Sequence, residues 1–170
     1  MRCPAVPIAF AVTLAALATI AVFATRSNAQ NPMGDPNAEP APFNPQMAAL
    51  MSMLIQPRHA KLGLAGNEEN WPLAGYALKE LKQGFIVTAR AVPRWKGLPV
   101  ADLFDAAVSQ PLALLDFAIK ANEPRQFGEN YAKLTAGCNA CHGTTDHPFV
   151  VIKAPDSAAG FPNQDFRLKR

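Results

Sequence analysis

A chain of 170 residues, 49% hydrophobic and 17% charged, is long enough for one packed domain and too short for several. Its 16 basic and 13 acidic residues sum to +3, and no basic run exceeds the terminal pair Lys169 and Arg170, which excludes a phosphate-reading nucleic-acid surface. Three cysteines are too few for a disulfide-stapled mini-protein, so their positions decide what they do.

Cys3 lies in the amino-terminal segment. Arg2 precedes an uncharged stretch of 23 residues, 3–25, that is rich in alanine and carries Ile8, Phe10, Leu14, Leu17 and Phe23; Arg26, Ser27, Asn28 and Ala29 follow. This is the layout of a secretory signal peptide over 1–29, with small residues before a cleavage point after Ala29, and it predicts export to the periplasm. A retained segment of this length would instead be a membrane anchor. Cleavage leaves 141 residues with 14 basic and 13 acidic side chains, a net charge of +1, and two cysteines, Cys138 and Cys141. The next stretch, 30–45, holds five prolines and few apolar side chains, so burial cannot offset its ordering entropy and it reads as an extended linker.

From Gln46 onward the apolar spacing is helical. Met47, Leu50, Met51, Leu54, Ile55 and Leu62 recur at steps of three and four, predicting a helix over 46–65 that is capped by Gly66 and kinked or restarted near Gln56 by Pro57. Asn70 as N-cap and Pro72 in the first turn open a second helix, along which Trp71, Ala74, Leu78, Leu81, Phe85 and Ala89 form one stripe until Pro93. Residues 93–99 read as a connection. A third helical region starts at Val100 and is expected to break at Pro111 before resuming through Leu112, Leu115 and Ile119. Asn122 and Pro124 mark the last boundary, and Phe127, Tyr131, Leu134 and Cys138 then share one helical face. Strand signals are confined to residues 149–152. The fold expected is all-α: an antiparallel four-helix bundle over 46–146, followed by an irregular carboxy-terminal tail over 147–170.

The last helical face runs into Cys138-Asn139-Ala140-Cys141-His142, the C-x-x-C-H pattern of c-type haem attachment. Two thiols at this spacing add to the two vinyl groups along one porphyrin edge, and the adjoining histidine is carried beneath the iron. Competing readings are a thioredoxin-like redox pair, which belongs at a helix start after a strand, and half of a zinc site, for which only His59 and His147 remain to supply nitrogen. Glu68 and Glu69 sit in a polar loop, and the chain shows no glycine-rich phosphate loop or nucleophile elbow, so no enzymatic constellation is expected.

A helical chain with this motif near the end of its last helix resembles the cytochrome c-prime and cytochrome c-556 class of four-helix-bundle cytochromes. The resemblance covers residues 46–142 in architecture, and only the haem motif is specific. It implies a periplasmic protein with one covalent haem c, His142 as the proximal iron ligand, and a distal side left apolar or supplied with a methionine from the first helix. Homodimers are common in that class. The 28 residues after His142 depart from it, and the tail is expected to shield the haem edge.

Helix lengths bear on the distal residue. His142 lies 18 residues beyond Pro124, roughly 27 Å along the helix, and the same height counted back along an antiparallel first helix reaches Met47, or Met51 with a loop offset of a turn. Met51 is the favoured distal candidate, with core filling as its plain alternative. His59 is the competing ligand, yet it lies only six residues from the end of that helix, which favours an inter-helix hydrogen-bonding role. Arg58 is a candidate partner for a haem propionate. Two functions stay open at this stage: a one-electron carrier for periplasmic redox partners, favoured because no catalytic constellation accompanies the motif, and a protein that binds nitric oxide or carbon monoxide at an open distal face.

Overall fold

The computed structural model describes residues 44–168; the segment 1–29 read as a signal peptide, and residues 30–43 of the expected linker, lie outside the described residues. What is described is all-α, with one two-stranded hairpin. None of its helices is long and apolar enough to cross a membrane.

The first helix is built in three pieces: α1 (Met47–Leu50), a π-helical turn (Met51–Ile55) and α2 (Gln56–Asn67). Pro57 is the cause. Lacking an N–H, it cannot close the ordinary bond of that turn, and the ladder widens so that the Gln56 N–H reaches back five residues to the Met51 carbonyl. Arg58 Nη1 donates to the Leu54 carbonyl at 2.9 Å, satisfying an acceptor of the widened turn. The disturbance expected near Gln56 thus takes the form of a π turn, after which the helix continues.

α2 closes with Glu69 in the left-handed conformation at φ 50°, its N–H on the Gly66 carbonyl and the Asn70 N–H on the Ala65 carbonyl, a Schellman arrangement. The cap is therefore not at Gly66. That glycine lies inside the helix because the Phe127 ring occupies the space a Cβ would fill. Asn70 caps α3 (Trp71–Ala91), its Oδ1 accepting from the Leu73 N–H at 3.3 Å, and Pro72 occupies the first turn. After Pro93 comes a short hairpin, β1 (Arg94–Trp95) paired with β2 (Leu98–Pro99), where the sequence suggests only a connection. Lys96 and Gly97, at φ 47° and 83°, supply the two left-handed positions of its turn.

α4 (Val100–Ala121) passes through Pro111 without the expected break. The proline leaves the Ala107 carbonyl without its helical donor, but Val108, Leu112, Leu115 and Ile119 are buried on both sides of it, and this packing holds the helix together. The freed carbonyl lies against the backbone of α5 (Pro124–Thr144) at Gly137, where a Cβ would overlap its oxygen. α5 starts at Pro124, after Asn122 turns the chain in the left-handed conformation.

α2 packs on α3, α3 on α4, α4 on α5, and α5 back on α2. Leu62, Leu78, Leu81, Leu115 and Leu134 are fully buried between them. Beyond α5 the tail turns back along α2: Pro155 approaches Gly63, Lys61 sits over the Phe161 ring at 5.2 Å, and Phe166 is buried in the core. Asn70 Nδ2 holds the end of the tail by donating to the carbonyls of Phe166 (3.0 Å) and Arg167 (3.3 Å).

Two glycines of α5 give opposite expectations. Nothing surrounds a Cβ at Gly128, so Gly128→Ala should stabilise the protein by about 0.5–1 kcal/mol through helix propensity, whereas Gly137→Ala should destabilise it by about 1–3 kcal/mol by forcing Ala107 away. Chemical denaturation of both variants reads the difference in sign; equal effects would contradict the close approach of α4 and α5.

Candidate functional site

The motif cysteines lie in the last turns of α5, and beside them opens an apolar cavity of about 230 Å³, partly open to solvent. Met47, Met51, Ser52 and Ile55 border it from the first helix, Phe85 from α3, Val100, Leu103, Phe104, Ala107 and Val108 from α4, and Cys138, Cys141 and His142 from α5. Trp95 of the hairpin and His147, Val150 and Ile152 of the tail complete the wall. The π turn and Pro111 both fall in helical segments adjoining this cavity, so both backbone irregularities belong to the site.

Cys138 and Cys141, both partly buried, form no disulfide. Burial pushes the Cys138 thiol up to about 11, with a smaller contribution from Cys141, and burial also raises Cys141. Neither is the acidified thiol of a thioredoxin-like pair. Such pairs draw on the positive end of a helix, and this motif sits at the opposite end. Among the described residues no group of three or more His, Cys, Asp and Glu side chains converges to hold a metal ion, so the half-zinc reading finds no partners there.

His142, half-buried, donates from Nδ1 to the Val150 carbonyl at 2.8 Å. Its Nε2 has no hydrogen-bond partner among the described residues, and it is the ring nitrogen available to a ligand. The tail is held in place by Asn139, whose Nδ2 donates to the Ile152 carbonyl (2.9 Å) while its Oδ1 accepts from the Ile152 N–H (2.7 Å).

His59 also borders the cavity, 3% exposed, but its ring is engaged at both nitrogens. Thr135 Oγ1 gives its proton to the Tyr131 carbonyl, so it accepts from His59 Nε2–H at 3.0 Å; this network assigns the tautomer. Nδ1 is then an acceptor facing the Tyr131 hydroxyl at 3.0 Å, whose single proton it shares with the His59 carbonyl at 2.9 Å, and the two rings stack with centroids 4.7 Å apart. Desolvation lowers the His59 pKa from 6.5 to about 4 and raises that of Tyr131, where Cys138 adds to the effect, so both stay neutral. Both ring nitrogens of His59 thus lie against partners from α5, which supports the inter-helix hydrogen-bonding role.

Of the residues singled out in the sequence, Cys138, Cys141, His142, Met51 and His59 thus meet at one cavity, whereas Arg58 does not. It lies on a separate groove with Lys61, Tyr76 and Glu80, 3.8 Å from the Glu80 carboxylate. Of the tail, only the part from His147 to Ile152 borders the cavity. The walls formed by Phe85 and Phe104, which meet edge-on at 4.9 Å, and by Trp95 over His147 carry no sequence signal beyond their apolar or aromatic character. A salt bridge of 2.8 Å from Lys96 to Asp146 ties the hairpin to the end of α5. No family model, curated protein or solved structure matches the chain.

The buried histidine gives the protein a definite acid response. Between pH 6.5 and about 4 the unfolded chain protonates His59 while the folded one does not, so stability is full above pH 6.5 and falls as the pH drops to 4. The total loss from this group is about 3 kcal/mol. Denaturation of the protein and of His59→Gln across this range should show the steeper fall in the parent; parallel profiles would mean that His59 is not held neutral.

Proposed function

We propose that the protein is an exported, periplasmic c-type cytochrome, an antiparallel four-helix bundle that holds one haem covalently in the cavity beside α5 and carries single electrons. The observation that supports this most is the coincidence of three features at one apolar cavity: two cysteines in C-x-x-C-H spacing that form no disulfide, a histidine whose Nδ1 is occupied by the Val150 carbonyl, and a thioether from the first helix. A porphyrin brings its own four nitrogens, so the protein need supply only one or two further donors. The sequential packing of α2, α3, α4 and α5 supports the bundle reading.

Each residue then has a task. Cys138 and Cys141 form the two thioether bonds, which keep the cofactor from dissociating. His142 Nε2 is the proximal donor, and Met51 is the distal candidate on the helix across the cavity. Phe85, Phe104, Leu103 and Val108 exclude water and lower the local dielectric, which with the axial donors sets the potential. When bound, haem c supplies a ferric–ferrous couple that exchanges one electron with a partner at its exposed edge.

A second reading, binding of nitric oxide or carbon monoxide, is favoured by the mostly apolar wall of the cavity, to which Ile55, Phe85, Leu103, Phe104 and Val108 contribute. The absorption and EPR spectra of the purified holoprotein decide between the two. A carrier should be low-spin and indifferent to carbon monoxide, and Met51→Ala should convert it to a high-spin form that takes the gas. A parent protein that is high-spin and binds carbon monoxide readily would overturn the carrier reading in favour of gas binding.

A further inference from the structure

The tail after the motif makes a specific connection to His142. Asn139, the first residue between the two cysteines, grips the Ile152 backbone with both ends of its amide, at 2.9 and 2.7 Å. Two residues earlier in the tail, the Val150 carbonyl receives the His142 Nδ1–H at 2.8 Å. Val150 and Val151 are exposed, so little burial fixes that stretch, and the segment forms no sheet that would orient its carbonyls. The Val150 N–H donates to the His147 carbonyl (2.9 Å) and the His147 N–H to the His142 carbonyl (2.7 Å), and the amide pair with Asn139 fixes the chain from the other side, two residues beyond Val150.

We propose that Asn139 is a positioning residue for His142: by fixing Ile152 it holds the Val150 carbonyl on Nδ1, so that the ring keeps the Nδ1–H tautomer and presents the Nε2 lone pair as donor. This rests on the haem reading for its consequence, but the tautomer itself is a property of the chain alone. Asparagine suits the task because its side chain carries one donor and one acceptor in the geometry of a peptide group, matching the N–H and C=O of a single residue. The carbonyl on Nδ1–H also makes Nε2 a stronger electron donor, so losing it should favour the reduced iron.

The test has two arms. In the ¹⁵N-labelled full chain prepared without haem, long-range proton–nitrogen correlation at neutral pH should show His142 predominantly as the Nδ1–H tautomer. Asn139→Ala should lower the ratio of the two tautomers about fivefold, the effect of losing one net hydrogen bond. The ring signals of His59, which lies in a separate network, should stay in place and report that the fold is kept. If Asn139→Ala fails to fold, Ile152→Pro removes only the N–H side of the pair and should shift the ratio in the same direction. In the holoprotein the midpoint potential of Asn139→Ala should lie above that of the parent. An unchanged tautomer ratio in a folded variant, or an unchanged potential, would overturn the proposal. A parent chain that takes up no haem would instead contradict the functional reading and leave the result of the first arm standing.

Discussion

The contact on which the site depends is between two backbones. Pro111 leaves the Ala107 carbonyl without its helical donor, and Gly137, which has no Cβ to hold it off, lets α5 come against that oxygen. Cys138 follows directly, so the approach of the two helices sets how deeply the first motif thiol is buried and where α4 supplies the adjoining wall. Pro57 has a similar effect on the other side of the cavity. The π turn it imposes lies over Met51–Ile55, and Met51, Ser52 and Ile55 of that turn all border the cavity. Two prolines inside helices, each unfavourable in isolation, thus shape opposite walls of one cavity.

Around that frame the polar groups divide into two separate networks. His59, Tyr131 and Thr135 satisfy one another between α2 and α5, and their burial keeps them neutral. His142, Asn139, Val150 and Ile152 form the second, in which the tail rather than a helix supplies the partners. The consequence for chemistry is a division of labour between the histidines. His59 is engaged between α2 and α5 and supports the packing, His142 presents Nε2 at the cavity, and His147 borders it with Nδ1 on the Thr145 carbonyl.

Local chemistry made much of this legible in the sequence. Asn70, Pro72, Pro93, Asn122 and Pro124 act within a turn of their own positions, and the helix boundaries fall where those residues put them. Pro111 was misleading because its effect depends on packing: Leu112 and Leu115 hold α4 through the lost bond. Gly66 was misleading for the same reason, being a glycine required by the Phe127 ring rather than by a turn. The cysteines and His142 announce themselves by spacing. The partners of His59, 72 and 76 residues away in sequence, and the return of the tail onto Asn139 do not, because they follow from tertiary contacts that no local pattern encodes.

On the reading proposed above, Cys138 and Cys141 carry a covalent haem. The most direct measurement is the intact mass, under denaturing conditions, of the protein exported by a host that attaches haem to C-x-x-C-H sequences. The mature chain should be heavier than its sequence by one haem, and the increment should vanish when both cysteines are replaced by serine. A parent chain at its bare sequence mass, with both thiols free, would contradict that reading.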